Sequence, residues 1–253
     1  MPAWYDLVME SFWPLIVAGV KFTIPLTVLS FVFGLVLAFA VALVRLFAPS
    51  PGAALADVGR QLRRRRVDRA ALALLQAVLV ALVGLYVWLI RGTPLLVQLF
   101  VIFYGLPSVG IVLDPLPAAL IGFTLNVGAY NSEVIRGAIE SIPKGQWEAA
   151  YSMSMTRVQA LRRTILPQAT RVAVPPLSNS VISLVKDTSL AAVLTVPEIF
   201  QAAQRIAAVT YEPLVLYLQA AFLYLVLSSV LTAVQRQLEK HYGQHALFGK
   251  GQR

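Results

Sequence analysis

Lysine and aspartate stand side by side at positions 186 and 187, within a stretch from Val172 to Val196 that carries no other charge. Further polar groups in apolar surroundings are Gln98, Asn126, Tyr130, Asn131, Glu133, Asn179, Thr188 and Ser189. Amides, hydroxyls and isolated charges can receive a polar solute or hydrogen-bond one helix to another. Bond-making chemistry needs a nucleophile beside a base, or a metal cluster. The sequence offers neither: it has no cysteine, and its two histidines fall near the C-terminus. A Gly-x-x-x-x-Gly-Lys-Ser/Thr loop, which would cradle nucleotide phosphates, is also absent. Two roles therefore stay open for the polar set, a solute pathway or packing between helices. Packing suits Asn126 and Asn179 better, whereas Lys186 and Asp187 suit both roles. Glu133 and Arg136, three apart, read as a local helix pair.

What must position these groups is a set of membrane-spanning helices. Of the 253 residues 58% are hydrophobic and only 13% charged, more apolar surface than a soluble chain of that length can hide. Uncharged runs cover Phe22 to Val44, Ala70 to Ile90, Leu95 to Leu113, Pro115 to Ser132 and Pro213 to Val234. About 20 apolar helical residues cross a hydrocarbon core, and lipid cannot hydrogen-bond an open strand, so each crossing is expected to be a helix. The fold class is all-α and polytopic, with about five spans: Lys21–Val44, one in the next long region, Pro117–Ile135, Val172–Val196 and Pro213–Val234. The next region, Ala70 to Leu113, is about twice one span's length and is broken by Arg91-Gly92-Thr93-Pro94. The favoured reading makes Ala70–Ile90 a lead-in and Thr93–Leu113 the crossing; the other lets both halves cross.

The net charge of +9 could suggest nucleic acid, but its distribution argues against that partner. Seventeen of the 21 basic residues lie in three segments, between Arg45 and Arg69, between Arg136 and Arg171, and after Val234. Retention of Lys and Arg on the cytoplasmic side places those segments inside and the N-terminus outside. Lys21 and Arg205 are left for the outer side. Residues 1–20, with Asp6 and Glu10 and no basic start, read as an outer interfacial segment rather than a cleavable signal. Trp4, Leu7, Val8, Phe12 and Trp13 would make it a short amphipathic helix. Glu198 to Glu212 reads as an outer loop, and 237–253 as a cytoplasmic tail.

The polar segment from Ile139 to Arg171 reads as two short helices. Pro143 suits the start of the first, Thr156 with Gln159 three residues on is a capping-box pattern for the second, and Pro167 marks its end. Here Glu148-Ala149-Ala150, followed by Ile165-Leu166-Pro167, resembles the EAA loop in permease subunits of bacterial ATP-binding-cassette importers. Arg91-Gly92-Thr93-Pro94-Leu95-Leu96-Val97-Gln98, Ile142 to Ala150, and Leu184-Val185-Lys186-Asp187-Thr188-Ser189-Leu190 are similar to signatures of the polar amino-acid branch. The likeness runs from Arg91 to the end of the last span and is strongest to cystine-type permeases. Two departures stand out: Ser154 occupies the position after EAA where the family usually has glycine, and Pro49 to Leu89 is longer and less polar than usual.

The resemblance implies a type I importer permease fold, with the transmembrane domain at 21–236, a basic insert at 45–69 and the coupling loop at 136–171. It implies a multi-pass protein of the bacterial inner membrane that imports polar amino acids, cystine among them, by alternating access. Glu148, Ala149, Ala150, Ser154, Ile165, Leu166 and Pro167 would couple it to cytoplasmic ATPase subunits. Gln98, Asn126, Tyr130, Lys186, Asp187, Thr188 and Ser189 would line the substrate pathway. Partners would be those ATPases, a second permease copy, an extracytoplasmic substrate-binding protein and the lipid bilayer. No cofactor is expected on this chain, ATP and Mg²⁺ belonging to the ATPase partner. The alternative, an ion-gradient-driven secondary transporter, calls for matched repeats and several buried carboxylates, and neither is evident.

Overall fold

The computed structural model describes residues 4–47, 52, 53, 56 and 67–243. Most of the basic insert, including Arg60 and Arg63 to Arg66, lies outside the described residues, as does the end of the tail from 244. Every element among the described residues is helical: α1 (Trp4–Ala18), α2 (Ile24–Phe47), α3 (Val67–Gly92), α4 (Leu95–Phe100), α5 (Pro115–Glu140), α6 (Lys144–Ser152), α7 (Arg157–Ala160), α8 (Leu166–Asp187), α9 (Ile199–Thr210) and α10 (Pro213–Gly243).

By length and apolar composition, Trp4–Phe47, Ala71–Gly92 and Pro213–Glu239 can cross a membrane. Arg157–Leu194 and Ile199–Thr210, bent by 47° at their junction, add a fourth crossing if taken together. The 26 residues of α5 span about 39 Å at 1.5 Å per residue, which is also sufficient. Its Asn126, Asn131, Glu133 and Arg136 make it less apolar, but α5 packs against α2, α3, α4 and α8, so these groups face protein rather than lipid. With one crossing in the 71–109 region the total is five: Ala71–Gly92 has the length of a span, while Leu95–Val109 runs along α5, Gln98 bonding Asn126 and Leu99 and Ile102 lying against Gly122. α3 is a continuous 26-residue helix. Leu95–Val109 is short and passes from α4 through a π turn into a 3₁₀ turn. The break at Pro94 is what separates them: proline cannot donate to the helix ladder, and the Gln98 side chain closes the turn by donating to the Ile90 and Thr93 carbonyls at 2.7 and 3.0 Å.

α2 and α5 approach closely because of glycine. A Cβ at Gly34 would lie 2.5 Å from Val127 Cγ1, and one at Gly128 would lie 2.7 Å from Leu37 Cδ2 and 2.8 Å from the Tyr86 hydroxyl. Without a hydrophobic drive between helices in lipid, such close backbone approach supplies the packing energy. Gly34→Ala is therefore expected to cost about 1–3 kcal/mol and lower the thermal unfolding temperature. Gly84→Ala, where nothing lies within 4 Å, should not lower it; equal losses at both sites would refute this account of the α2–α5 contact.

The N-terminal segment is not a separate interfacial helix. α1 continues through a π turn, Gly19–Thr23, into α2. Its Leu7, Ser11, Leu15 and Ala18, spaced at helical intervals, are buried against α9 and α10, leaving Trp4, Phe12 and Trp13 exposed. Ser11 donates to Gln219 Oε1 at 2.7 Å and Gln219 to the Val8 carbonyl at 2.9 Å, fastening α1 to α10. The segment read as an outer loop is instead the 12-residue α9. Glu198 caps it, accepting from the Gln201 N–H at 2.7 Å, and Ala202, Ala203 and Ala207 are buried.

Candidate functional site

Two places gather the residues singled out from the sequence: a polar cavity among the helices, and the segment between α5 and α8. The cavity, about 670 Å³, is lined by the end of α3, the start of α4, and facing parts of α5 and α8. Arg91 enters it at the α3 terminus, its guanidinium carbon 5.6 Å from the Tyr130 ring centroid, a cation–π distance. Asn126 and Tyr130 on α5, and Asp187 at the last position of α8, line it. Glu133 also reaches it, but its carboxylate is engaged by two guanidinium groups, Arg45 from α2 and Arg136 at 2.7 Å. The local pair with Arg136 read from the sequence is therefore half of a larger network, which Arg136 extends to Glu140 at 2.6 Å. Asp187 is left as the cavity carboxylate not neutralised in this way.

Four expected pathway residues sit elsewhere. Gln98 is buried and closes the Pro94 break, its carbonyl oxygen accepting from Asn126 at 3.1 Å; it shapes the cavity wall without lining it. Lys186 is exposed and outside the lining. Thr188 is fully buried, its hydroxyl donating to the Val185 carbonyl at 2.7 Å, and Ser189 donates to the Lys186 carbonyl at 2.7 Å. Arg91, Thr93, Ser180 and Ser183 belong to the lining but are not among the expected pathway residues. For Arg91 the signal existed, since it is the last charge before Gly92 and Pro94 at the end of an apolar run. Pro176, the second of two prolines inside α8, also lines the cavity.

The segment between α5 and α8 is packed on one face against α2 and α5 and exposed on the other. Thr156 and Gln159 form the capping box, with the Thr156 hydroxyl accepting from the Gln159 N–H at 3.3 Å and the Gln159 side chain accepting from the Thr156 N–H at 2.9 Å. Pro143 is the N-cap of α6, one position before its start. Ile142, Leu161, Ile165 and Ala169 are buried with Ile135, Ala138 and Ile139 of α5 and with Ala38 and Ala42 of α2. Arg157 donates to the Leu46 carbonyl at 3.2 Å and lies 4.7 Å from the Phe47 ring centroid, tying α7 to the end of α2. Gln168 bonds Gln146 at 3.1 Å, joining α8 to α6. Within the motif, Ala150 and Ile165 are buried, Leu166 is half-buried, and Glu148, Ala149 and Pro167 are exposed. Pro167 does not end the second helix: α7 runs through a π turn, Leu161–Ile165, straight into α8, with proline in its first turn, where a missing N–H costs nothing.

Ser154 takes the left-handed conformation that glycine would, with φ of 59°. The Ser154 N–H bonds the Tyr151 carbonyl at 2.9 Å and the Met155 N–H bonds the Ala150 carbonyl at 3.2 Å, which is the Schellman closure of a helix. The turn is thus built in the usual way, at the strain a Cβ imposes there. Ser154→Gly should raise stability by about 0.5–1 kcal/mol, measured as a higher unfolding temperature; a lower one would show that the serine is not strained.

A helical bundle around a polar cavity, with an ordered helix pair fixed to one end of it, defines a transport subunit moved by something outside itself. The chain belongs to the family of binding-protein-dependent transport system inner membrane components, whose model matches residues 69–244, and it is the transmembrane subunit of an ATP-binding-cassette importer. It is 46% identical over 242 residues to an L-cystine transport system permease protein of Bacillus subtilis, covering 95% of this chain and 92% of that one. A probable amino-acid ABC transporter permease protein of the same organism is 44% identical over 161 residues, covering 64% and 71%. Among solved structures, an amino acid ABC transporter crystallised with histidines superposes with a TM-score of 0.76 at 28% identity, over 93% of this chain and 97% of that chain. The family is one of permease subunits, distinct from the ATPases that drive them, and membership displaces the secondary-transporter alternative.

Proposed function

We propose that this subunit passes polar amino acids through the cavity between Arg91 and Asp187, driven by ATP hydrolysis on a separate subunit pair that engages Glu148 and Ala149. The observation that carries this is the cavity itself: one guanidinium and one carboxylate that forms no salt bridge among the described residues, delivered by different helices to the same space. A zwitterionic amino acid presents the complementary carboxylate and ammonium, and an Arg fork binds carboxylate in two parallel hydrogen bonds. The Bacillus subtilis relative named for L-cystine transport makes cystine the first substrate to test.

In this reading the three basic segments and the coupling segment face the cytoplasm and the N-terminus faces outward. Five crossings, α2, one in the 71–109 region, α5, α8 and α10, give that orientation. A second permease copy, identical or similar, completes the pathway, an outer substrate-binding protein delivers the solute, and ATP and Mg²⁺ are held by the ATPase. Nucleotide-driven closure of the ATPases moves α6 and α7, and with them the inner ends of α2, α5 and α8, switching the cavity between two accessible states.

The test is reconstitution of the subunit with its ATPase and binding protein in proteoliposomes. Labelled cystine should accumulate only with ATP inside the ATPase compartment, and unlabelled polar amino acids should compete. Uptake that ignores ATP and follows an imposed ion gradient would overturn the proposal.

A further inference from the structure

Lys21 and Arg205, the two basic residues that the charge distribution leaves for the outer side, are remote in sequence yet line one groove. This groove, about 690 Å³, runs between α1, the π turn after it and α9. None of its lining residues is acidic. Glu198, which follows the lining residue Pro197, is fully buried, and its carboxylate is engaged by the Gln201 N–H and the Tyr224 hydroxyl, so it does not answer either cation. The remaining walls are almost wholly apolar, with Val17, Phe22, Ile206 and Val209 prominent. Trp13 and Tyr211, 69% and 85% exposed, adjoin the groove residues Pro14 and Thr210. Exposed Trp and Tyr gather at headgroup depth, and Lys and Arg there lay their stems on apolar surface with the charge toward water.

We propose that this groove is a binding site for an anionic phospholipid, with the headgroup phosphate between Lys21 and Arg205 and an acyl chain along Phe22, Ile206 and Val209. An acidic protein loop would satisfy the two cations but leave the apolar wall uncovered; a phospholipid satisfies both with one molecule. The site needs only that the chain is embedded in a bilayer. It stands whichever solute the cavity carries, so a failure of the transport reading would show in uptake and not in lipid binding.

The experiment uses the full-length subunit in complex with its ATPase, in phosphatidylcholine nanodiscs doped with photoactivatable phosphatidylglycerol. Adducts should map to α1 and α9, and the double substitution Lys21→Gln with Arg205→Gln should cut labelling there roughly thirtyfold. The charge-preserving pair Lys21→Arg with Arg205→Lys should retain it. Both side chains are exposed, so neither pair is expected to disturb folding. A benzophenone-bearing residue placed at Val209 should form adducts with lipid. Undiminished labelling in the Gln pair would overturn the proposal, as would a Val209 adduct to a second permease copy or to the binding protein.

Discussion

Charge reversal by Glu148→Lys, or Ala149→Asp, is expected to reduce binding-protein-stimulated ATP hydrolysis by at least about thirtyfold while the subunit still inserts and folds. Both positions are exposed on α6, beside the exposed Tyr151 and Met153. This face of α6 is not packed against the spans. A carboxylate placed at the centre of a docked helix face leaves a desolvated, unpaired charge, and truncating a single central anchor of an interface commonly costs about 2 kcal/mol or more. Ala150 provides the contrast. It is 3% exposed, so Ala150→Asp should destabilise the subunit itself and lower the amount recovered from the membrane. ATPase activity and membrane yield measured together separate the two. If Ala149→Asp leaves coupling intact, or fails in the same way as Ala150→Asp, then α6 does not present this face to a partner.

The helix inventory was legible because apolar runs and positive charge report membrane crossings through strong, additive energies. The coupling segment was legible for a different reason: the Thr156–Gln159 box is a local hydrogen-bond pattern that needs no tertiary help. What could not be read were the places where a polar side chain changes the consequence of a helix break. Arg91 to Pro94 announced an interruption, but not that the Gln98 side chain would close it. Pro167 looked like a terminator, yet a π turn absorbed it. Lys186 and Asp187 looked equivalent; successive helical positions point about 100° apart, and only Asp187 meets the cavity. Glu133 and Arg136 were seen as a pair, while Arg45, 88 positions away from Glu133, had no sequence pattern to betray it. That partner decides which carboxylate remains for a solute.

Asp187→Asn and Arg91→Gln should each lower ATP-driven uptake by roughly ten- to hundredfold, the range expected when a charged hydrogen bond to the solute of about 1.5–3 kcal/mol is lost. Asp187→Asn preserves side-chain size and Arg91→Gln shortens a side chain that is exposed, so the bundle should still assemble with its ATPase. The losses should fall on different ends of the solute. An amino-acid amide, lacking the carboxylate, should discriminate little between wild type and Arg91→Gln, while an N-acetylated amino acid should discriminate little between wild type and Asp187→Asn. Lys186→Gln is the internal control. Lys186 neighbours Asp187 in sequence but is exposed and outside the cavity lining, so its loss should change uptake less than about twofold, as surface changes generally do. Glu133→Gln should act differently again. It removes the charge that pairs with Arg45 and Arg136, next to the Leu46 carbonyl of α2 that accepts from Arg157, so it should weaken the coupling of hydrolysis to uptake more than solute affinity. Should Lys186→Gln abolish transport while Asp187→Asn spares it, the solute passes along another face of α8.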